Sequence, residues 1–370
     1  MTERQKEIYE AVERLGSKAA AARELGIDRR TVSSTYFRAK SFIDADPGIK
    51  NSMDAVNTTM TPKLAWIKTK DEDGSSYSVL LKPEEPTEEE EDFIEVVKEK
   101  LEGMTPLPMV GPPNYIDENL ANVIPIFDAH LGMRTTSELT GENYNLNIAT
   151  RMLRERAAEC IQRMPRAHTT YIVNGGDFTH ADDDNNVTPI HKHPLDVGNR
   201  HYETIDASVE VMAELIEQSL SHSKYVEVHS IPGNHDPKTW IVVMFALAER
   251  FSQNPRVNIR RSPVEFFAFQ WGQNLICGHH GHKRQAKDLV MFFASEYPEL
   301  WGSTRHRTMF TGHYHRLKAE DFPGMVWECM RPFSLRDHYA ASTAYPENSE
   351  LQGITYHKER GEISRVRVRS

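Results

Sequence analysis

The stretch Gly175-Gly176-Asp177-Phe178-Thr179-His180 begins one residue after a β-prone run at 170–173. A strand that ends in glycines and an acidic residue places a carboxylate at the edge of a sheet. Four more β-prone runs along the chain also end in metal-ligand residue types. These runs end in Asp128-Ala129-His130, Gly233-Asn234-His235-Asp236, Gly278-His279-His280-Gly281-His282 and Gly312-His313-Tyr314-His315. Because helical segments of period near 3.6 lie between the runs, the pattern predicts a layered α/β domain over residues 121–370.

The five polar strand ends predict a metal site. The carboxyl ends of strands in an α/β sheet meet at one edge, where such proteins place their sites. Aspartate, asparagine and histidine are ligands of transition-metal ions. In an extended chain, residues two apart point to the same side, so Asp128 and His130 are expected to reach one ion. One such motif is a weak signal, but five in this order favour a metal centre.

The order of these motifs resembles that of the calcineurin-like metallophosphoesterase superfamily, over residues 121–370. The resemblance implies a four-layer α/β/β/α domain that binds two divalent metal ions. The ligands that it implies are Asp128, His130, Asp177 and His315 for a first ion, and Asp177 as a bridge to a second ion held by Asn234, His280 and His313. His279 is the alternative to His280. Mixed nitrogen and oxygen donors favour Mn, with Fe, Zn, Ni or Mg as alternatives.

The resemblance also implies a mechanism, in which a metal-bridging hydroxide attacks phosphorus in line. His235 would be the catalytic histidine that protonates the leaving alkoxide, and Asp236 would orient it. Asp128-Ala-His130-Leu-Gly132, with His180 three residues after Asp177, is similar to the SbcD-type DNA-repair exonucleases. There, such a histidine lies close to the scissile phosphate, so His180 is a third candidate catalytic residue.

Residues 1–43 are predicted to form a small all-α helix-turn-helix domain. Three short helical segments follow Thr2, Ser17 and Asp28, with alanines in the second that allow close packing. The third segment carries four basic residues, and its pattern resembles DNA-binding helix-turn-helix regulators. These candidate DNA-binding residues are Arg29, Arg30, Arg38 and Lys40. A helical packing or dimerisation module is the alternative.

Residues 44–120 are predicted to be a linker that contains a β-hairpin at 62–82 and an acidic segment at 83–102. Residues 84–102 hold ten acids and two lysines, and so carry −8 of the chain's formal charge of −10. The acidity therefore says little about the partners of the folded parts. The role of the polar loop at 181–203 is left open.

Composition restricts the class of protein. The chain of 370 residues is long enough for two or three domains and is 39% hydrophobic. It contains three cysteines without a CxxC pair, which argues against a disulfide framework and a thiolate zinc site. A charged N-terminus and the absence of a long apolar run lead us to expect a cytoplasmic protein without a signal peptide or membrane partner.

These observations together predict a metal-dependent phosphoesterase that hydrolyses nucleic-acid phosphodiester bonds, a DNA nuclease with DNA as its partner. A phosphatase or phosphodiesterase acting on small nucleotides or phosphoproteins is the first alternative. A DNA-binding regulator that uses the phosphoesterase domain as a scaffold is the second. An ATPase partner subunit is a further option that no segment indicates. Exonuclease or endonuclease action, strand preference and oligomeric state are left open.

Overall fold

The structure is a computed structural model that describes residues 3–15, 18–44, 65–70, 76–81, 111–189, 191–338, 341 and 349–369. The chain divides into two compact units, Met1–Glu102 and Gly103–Ser370. The acidic segment at 83–102 and most of the linker predicted at 44–120 lie outside the described residues. Within the described ranges, no helix combines the length and the apolar character needed to cross a bilayer.

The described residues of the first unit form three helices and a two-stranded antiparallel sheet. Its elements are α1 (Glu3–Leu15), α2 (Lys18–Leu25), α3 (Arg29–Asp44), β1 (Ala65–Lys70) and β2 (Ser76–Leu81). The helices pack through a small apolar core that comprises Ile8, Ala11, Val12, Ala21, Ala22, Val32 and Tyr36. Gly26 follows α2 with a φ of 63°, the left-handed conformation that commonly ends a helix. The helices lie where the sequence predicts helices, and the strands lie within 62–82.

The first sheet of the second unit has six strands in the order β13-β12-β3-β4-β5-β6. The strands are β3 (Asp117–Ile126), β4 (Ala167–Asn174), β5 (Ser223–Ser230), β6 (Val257–Ile259), β12 (Glu350–His357) and β13 (Gly361–Arg369). Strands β3 to β6 are parallel, and β12 runs antiparallel to β3. Strands β3 and β4 are buried over most of their length, which is typical of parallel strands that are covered on both faces.

The second sheet has five strands in the order β10-β11-β9-β8-β7. The strands are β7 (Phe266–Trp271), β8 (Asn274–His279), β9 (His306–Thr311), β10 (Lys318–Phe322) and β11 (Met325–Cys329). Strands β8, β9 and β11 are parallel, whereas β7 and β10 are antiparallel to their neighbours. Strands β6, β7, β10 and β11 were not predicted from the sequence. Almost every residue of the edge strand β10 is exposed, so it has no apolar pattern.

The helices cover the outer faces of the two sheets. They are α4 (Ser137–Thr140), α5 (Leu146–Arg163), α6 (His201–Leu220), α7 (Thr239–Arg250), α8 (Ala286–Glu296) and α9 (Pro298–Ser303). Helices α5, α6 and α7 pack on the six-stranded sheet, and α8 packs on the five-stranded sheet. The core between the sheets includes Val123, Tyr171, Val173, Phe267, Phe269, Ile276, Phe310 and Ile354. The layers therefore follow the order helix, sheet, sheet, helix.

An arginine joins the edges of the two sheets. Arg365 of β13 contacts Glu328 of β11 through both terminal nitrogens, Nη1 to Oε2 at 2.5 Å and Nη2 to Oε1 at 2.7 Å. Its Nη2 also donates to Glu362 on its own strand at 2.7 Å. Only 13% of the Arg365 side chain is exposed. Such a bidentate pair fixes direction as well as distance, and so holds the sheets in one relative position.

Candidate metal centre

The seven predicted ligands come together where strands of both sheets end. Asp128 and His130 follow β3, Asp177 follows β4, Asn234 follows β5, His280 follows β8, and His313 and His315 follow β9. Six of the seven form two groups whose ligand atoms all lie within 4.8 Å of one another. The groups are Asp128, His130 and His315, and Asp177, His280 and His313. Asn234 adjoins the second group, since its Oδ1 is 3.2 Å from His280 Nε2. The groups meet where His280 Nε2 lies 3.9 Å from Asp128 Oδ1.

Five of these seven residues have a left-handed backbone. Their φ angles are 52° for Asp128, 47° for His130, 52° for Asp177, 68° for His313 and 50° for His315. Asp128 and His130 therefore do not follow the extended geometry expected from the sequence. They converge because each lies in a turn, with the His130 amide donating to the Asp177 carbonyl at 2.9 Å. Such conformations cost on the order of 1–3 kcal/mol each and cluster at functional sites.

Two glycines permit the close packing of the ligand turns. A Cβ atom on Gly233 would lie 1.8 Å from Asp177 Oδ1, and one on Gly312 would lie 2.5 Å from Asp128 Oδ2. Neither position tolerates a side chain while the carboxylate keeps its place. The glycines that precede Asn234 and His313 are thus packing requirements of a ligand that comes from a different strand.

Hydrogen bonds fix the direction of the histidine ligands. The Nδ1 of His280 lies 3.0 Å from the Gly175 carbonyl, which can only accept, so the proton is on Nδ1 and Nε2 faces Asp177 at 3.1 Å. His279, the alternative, is in neither group, and its Nδ1 accepts the amide of Gly281 at 2.9 Å. The geometry therefore favours His280 over His279 as the ligand.

His235 lies beside the ligands and is half-buried. Its amide donates to Asp177 Oδ1 at 2.8 Å, and its ring centroid is 4.7 Å from that of His130. Its Nδ1 lies 2.8 Å from the carbonyl oxygen of His180, so Nδ1 carries a proton there and Nε2 is left for another partner. This arrangement suits a group that exchanges a proton at Nε2.

His180 lies behind His130, with its Nδ1 3.1 Å from His130 Nδ1. The residue is only 4% exposed, and its ring stacks on His235 at 5.2 Å. His130, His180 and His235 form a third close group of potential ligand atoms. These contacts favour a role in holding His130 and His235, in place of the direct phosphate contact that the sequence suggested.

Asp236 does not orient His235, contrary to the expectation from the sequence. Its carboxylate is completely buried and accepts four backbone amides. The Oδ1 accepts from Asp177 and Gly233 at 3.1 and 2.8 Å, and the Oδ2 accepts from Phe178 and Thr179 at 2.8 and 3.2 Å. Since its oxygens are used in this way, Asp236 clamps the turn that carries Asp177 to the turn that carries Asn234.

Burial and neighbouring charges shift the pKa values of several side chains in the centre. Burial, followed by the charge of His235, holds the pKa of His130 well below its usual value. Burial also acts to lower the pKa of His280, but the Asp177 carboxylate more than reverses this and raises it to about 9. Conversely, His280 and His235 hold the pKa of Asp177 well below its usual value despite burial. Burial and the nearby Asp177 raise the pKa of Asp236 to about 7, against the effect of its amide donors.

The donor set fits divalent cations. It offers carboxylate oxygens, an amide oxygen and imidazole nitrogens, a mixture that suits Mn, Fe, Zn or Ni better than an all-oxygen magnesium site. A divalent ion would take the place of the proton that His280 shares with Asp177, because metal binding displaces protons from its ligands. The first group could hold an ion through Asp128, His130 and His315, and the second through Asp177, Asn234, His280 and His313.

The other sequence-based candidates lie elsewhere. Arg29, Arg30 and Arg38 are on α3, but their side chains lie outside the described part, and Lys40 is half-buried on the same helix. In the 181–203 loop, Asp182 binds the start of α7 by accepting the Thr239 amide at 2.8 Å. The loop is thereby anchored beside the turn that follows β5.

Two residues at the site were missed from sequence. Tyr144 is buried and donates its hydroxyl to the Ala129 carbonyl at 2.7 Å, between Asp128 and His130. Asn174 accepts the Gly176 amide at 3.2 Å and donates to Ser230 at 2.8 Å, which joins the ends of β4 and β5. An asparagine at the end of a β run was a readable signal, whereas Tyr144 is far from any motif.

No protein-family model and no curated protein matches the chain. Among solved structures, it is similar to a predicted phosphoesterase from Streptococcus pneumoniae TIGR4, with 10% identity and a TM-score of 0.30 over 69% of this chain and all of that one. It is also similar to a dimetal phosphatase from Danio rerio, with 9% identity and a TM-score of 0.37 over 68% of this chain and 99% of that one. A novel archaeal phosphodiesterase shows 10% identity and a TM-score of 0.35 over 67% and 99% of the two chains.

Proposed function

We propose that this protein is a two-metal-ion phosphodiesterase that cleaves nucleic acid, in the manner of SbcD-type DNA nucleases. The observation that carries the proposal is the pair of adjoining ligand groups, with His235 beside them and not required as a ligand. A site that only stored a metal ion has no need of two groups and a nearby proton donor. A site that hydrolyses a phosphoester needs all three.

Two divalent ions, manganese in our proposal, would be held here, with Asp177 as the bridging ligand. When bound, such ions lower the pKa of a water molecule and neutralise phosphoryl oxygens. The protein's own contribution is to hold the donors rigidly: the turns carrying Asp177 and Asn234 are joined through Asp236. Tyr144 and Asn174 fix the neighbouring backbone.

His235 would supply the proton for the leaving alkoxide. Its Nδ1 donates to the His180 carbonyl, which fixes the ring and leaves Nε2 to give or take the proton. The amide of His235 donates to Asp177 Oδ1, and this hydrogen bond fixes the distance between the proposed proton donor and the proposed bridging ligand. His180 would act by holding His130 and His235 in place.

DNA is the proposed substrate because of the first unit. Helix α3 packs inward through Val32, Tyr36 and Ala39, and Tyr36 donates to Glu13 of α1 at 2.6 Å. Outside this buried face, α3 carries the exposed Thr31 and the half-buried Ser33 and Ser34, which are hydrogen-bonding types. We propose that α3 enters the major groove from its N-terminal end, as recognition helices do.

The direct test is cleavage of end-labelled single- and double-stranded DNA in Mn²⁺, beside 4-nitrophenyl phosphate and methyl 4-nitrophenyl phosphate. Asp177→Asn serves as the matched control, since it keeps the shape of the proposed bridging ligand and removes its charge. The proposal expects the wild type to cut DNA and the methyl diester, with both activities lost in excess chelator and in the variant.

Other results would select the alternatives. Rapid hydrolysis of the monoester with every DNA substrate intact would replace the nuclease by a phosphatase. Tight DNA binding without hydrolysis of any substrate, with metal bound, would favour a DNA-binding regulator that uses the second unit as a scaffold. Undiminished turnover in chelator by protein free of metal would reject the two-metal mechanism.

A further inference from the structure

A tyrosine stands between two of the proposed metal ligands. Tyr314 separates His313 and His315, and 44% of its surface is exposed although it adjoins the buried centre. Its amide donates to the Gly312 carbonyl at 2.8 Å, and both flanking histidines have left-handed φ angles. This tight turn brings the two histidines into the ligand groups and leaves the tyrosine at the surface beside them.

The ring of Tyr314 is held from two sides. Its edge meets the His313 ring with centroids 5.2 Å apart and planes inclined by 68°. The guanidinium of Arg316 lies 5.5 Å from the tyrosine ring centroid. A flat aromatic surface next to a phosphoester centre, with a cation beside it, is the chemistry that stacks nucleobases in proteins that bind single strands.

We propose that Tyr314, supported by Arg316, stacks an unpaired nucleobase of the nucleotide whose phosphodiester is cleaved. This inference rests on the proposed function and adds to it a substrate class: a strand end or single strand, or a small nucleotide diester with the same chemistry. Because His313 is a proposed ligand and its ring touches that of Tyr314, a base stacked there lies next to the reacting phosphate.

The chain offers a matched control for this platform. Tyr225 on β5 is 39% exposed, its ring centroid is 5.1 Å from that of His168, and Lys224 Nζ lies 5.6 Å from its ring centroid. Tyr225 therefore has the same kind of exposure, histidine contact and neighbouring cation as Tyr314. It lies near the start of β5, whereas the proposed ligand Asn234 follows the end of that strand. Substituting Tyr225 should leave recognition of the base unaffected.

The experiment compares two substrates with the same leaving group in Mn²⁺: thymidine 5′-(4-nitrophenyl phosphate) and its abasic 1,2-dideoxyribose analogue. Tyr314→Ala should lower kcat/KM about 10-fold on the thymidine substrate, mostly through KM, and change the abasic substrate less than about 2-fold. Tyr314→Phe should retain the preference for the base, Tyr314→Leu should lose it, and Tyr225→Ala should match the wild type. Metal content, measured on every variant, should be unchanged.

Short thymidine oligonucleotides should show the same dependence on Tyr314 as the mononucleotide, if strands are the substrate. Equal losses on the thymidine and abasic substrates, with metal retained, would make Tyr314 a support for the turn and overturn the platform. No loss on either would do the same. Failure of the wild type to cleave any diester would instead reject the proposed function. In that case, equal affinities of wild type and Tyr314→Ala for hexathymidylate in chelator would also reject the platform.

Discussion

Replacing Asp236 by asparagine tests whether the four-amide clamp holds the metal centre together. One asparagine oxygen can still accept a pair of amides, either those of Phe178 and Thr179 or those of Asp177 and Gly233. The new NH₂ group then faces the other pair, and two buried donors lose their acceptor. At about 1–3 kcal/mol for each unsatisfied buried donor, and with some relief from removing a carboxylate close to Asp177, we expect a loss of about 3 kcal/mol.

The assay is urea denaturation in chelator, with unfolding monitored by tryptophan fluorescence. Four of the five tryptophans, at positions 240, 271, 301 and 327, belong to the second unit. Metal affinity is then measured by titration with Mn²⁺. We expect Asp236→Asn to lower both the free energy of unfolding and the metal affinity, because the turn carrying Asp177 keeps only part of its connection to the turn carrying Asn234.

Asp182→Asn is the control variant. It also changes a buried carboxylate that accepts backbone amides, but these amides do not belong to the turn that carries Asp177. Asp182 is 8% exposed and accepts the amides of Lys238 and Thr239 at the start of α7. It should lose stability and keep its affinity for Mn²⁺. If Asp236→Asn unfolds at the wild-type urea concentration and binds Mn²⁺ with wild-type affinity, the clamp is not what holds the centre.

Further variants test the remaining parts of the site. Asp177→Ala removes the proposed bridging ligand, so elemental analysis should find both ions depleted and activity at background. His235→Ala should keep its metal and lose roughly 10²–10⁴-fold in rate on DNA, with a smaller loss on nitrophenyl diesters, whose leaving group needs no proton. In Gly233→Ala, the new Cβ would lie 1.8 Å from Asp177 Oδ1, and metal binding should fail in a variant that still folds. Deleting residues 1–45 should weaken DNA affinity and reduce its salt dependence, as anisotropy at two salt concentrations would show, while the methyl diester is cleaved at the wild-type rate.

The strands that lead into the five motifs could be predicted from the sequence, because each signal is local, whereas β6, β7, β10 and β11 were not predicted. The apolar runs that end in Asp128, Asp177 and Asn234 are strands β3, β4 and β5. Their parallel order makes their carboxyl ends converge, whatever the details of the turns. The choice between His279 and His280 was harder, because it depends on which of the two side chains contacts the Gly175 carbonyl, which follows a different strand.

The roles of Asp236 and His180 could not be predicted from sequence, because both depend on contacts between separate turns. Proximity along the chain suggested that Asp236 serves His235, yet its acceptor oxygens meet amides about sixty residues away. His180 lies three residues after a ligand, but folding places it behind His130. The pairing of Arg365 with Glu328 could not be predicted either, because the two residues lie on different sheets.

The left-handed ligand residues and the Asp236 clamp belong to one physical argument. A turn with a left-handed aspartate or histidine is unfavourable by itself, and three such residues occur in the turns carrying Asp128, His130 and Asp177. Bonds between turns must therefore offset that strain before any metal binds, and three of them, from the amides of Asp177, Phe178 and Thr179, end on Asp236. On the proposed two-metal mechanism, the residues that hold the backbone matter for metal binding as the ligands do, although they are not ligands themselves. This is why the clamp, and not a further ligand, is the most informative place to perturb the centre.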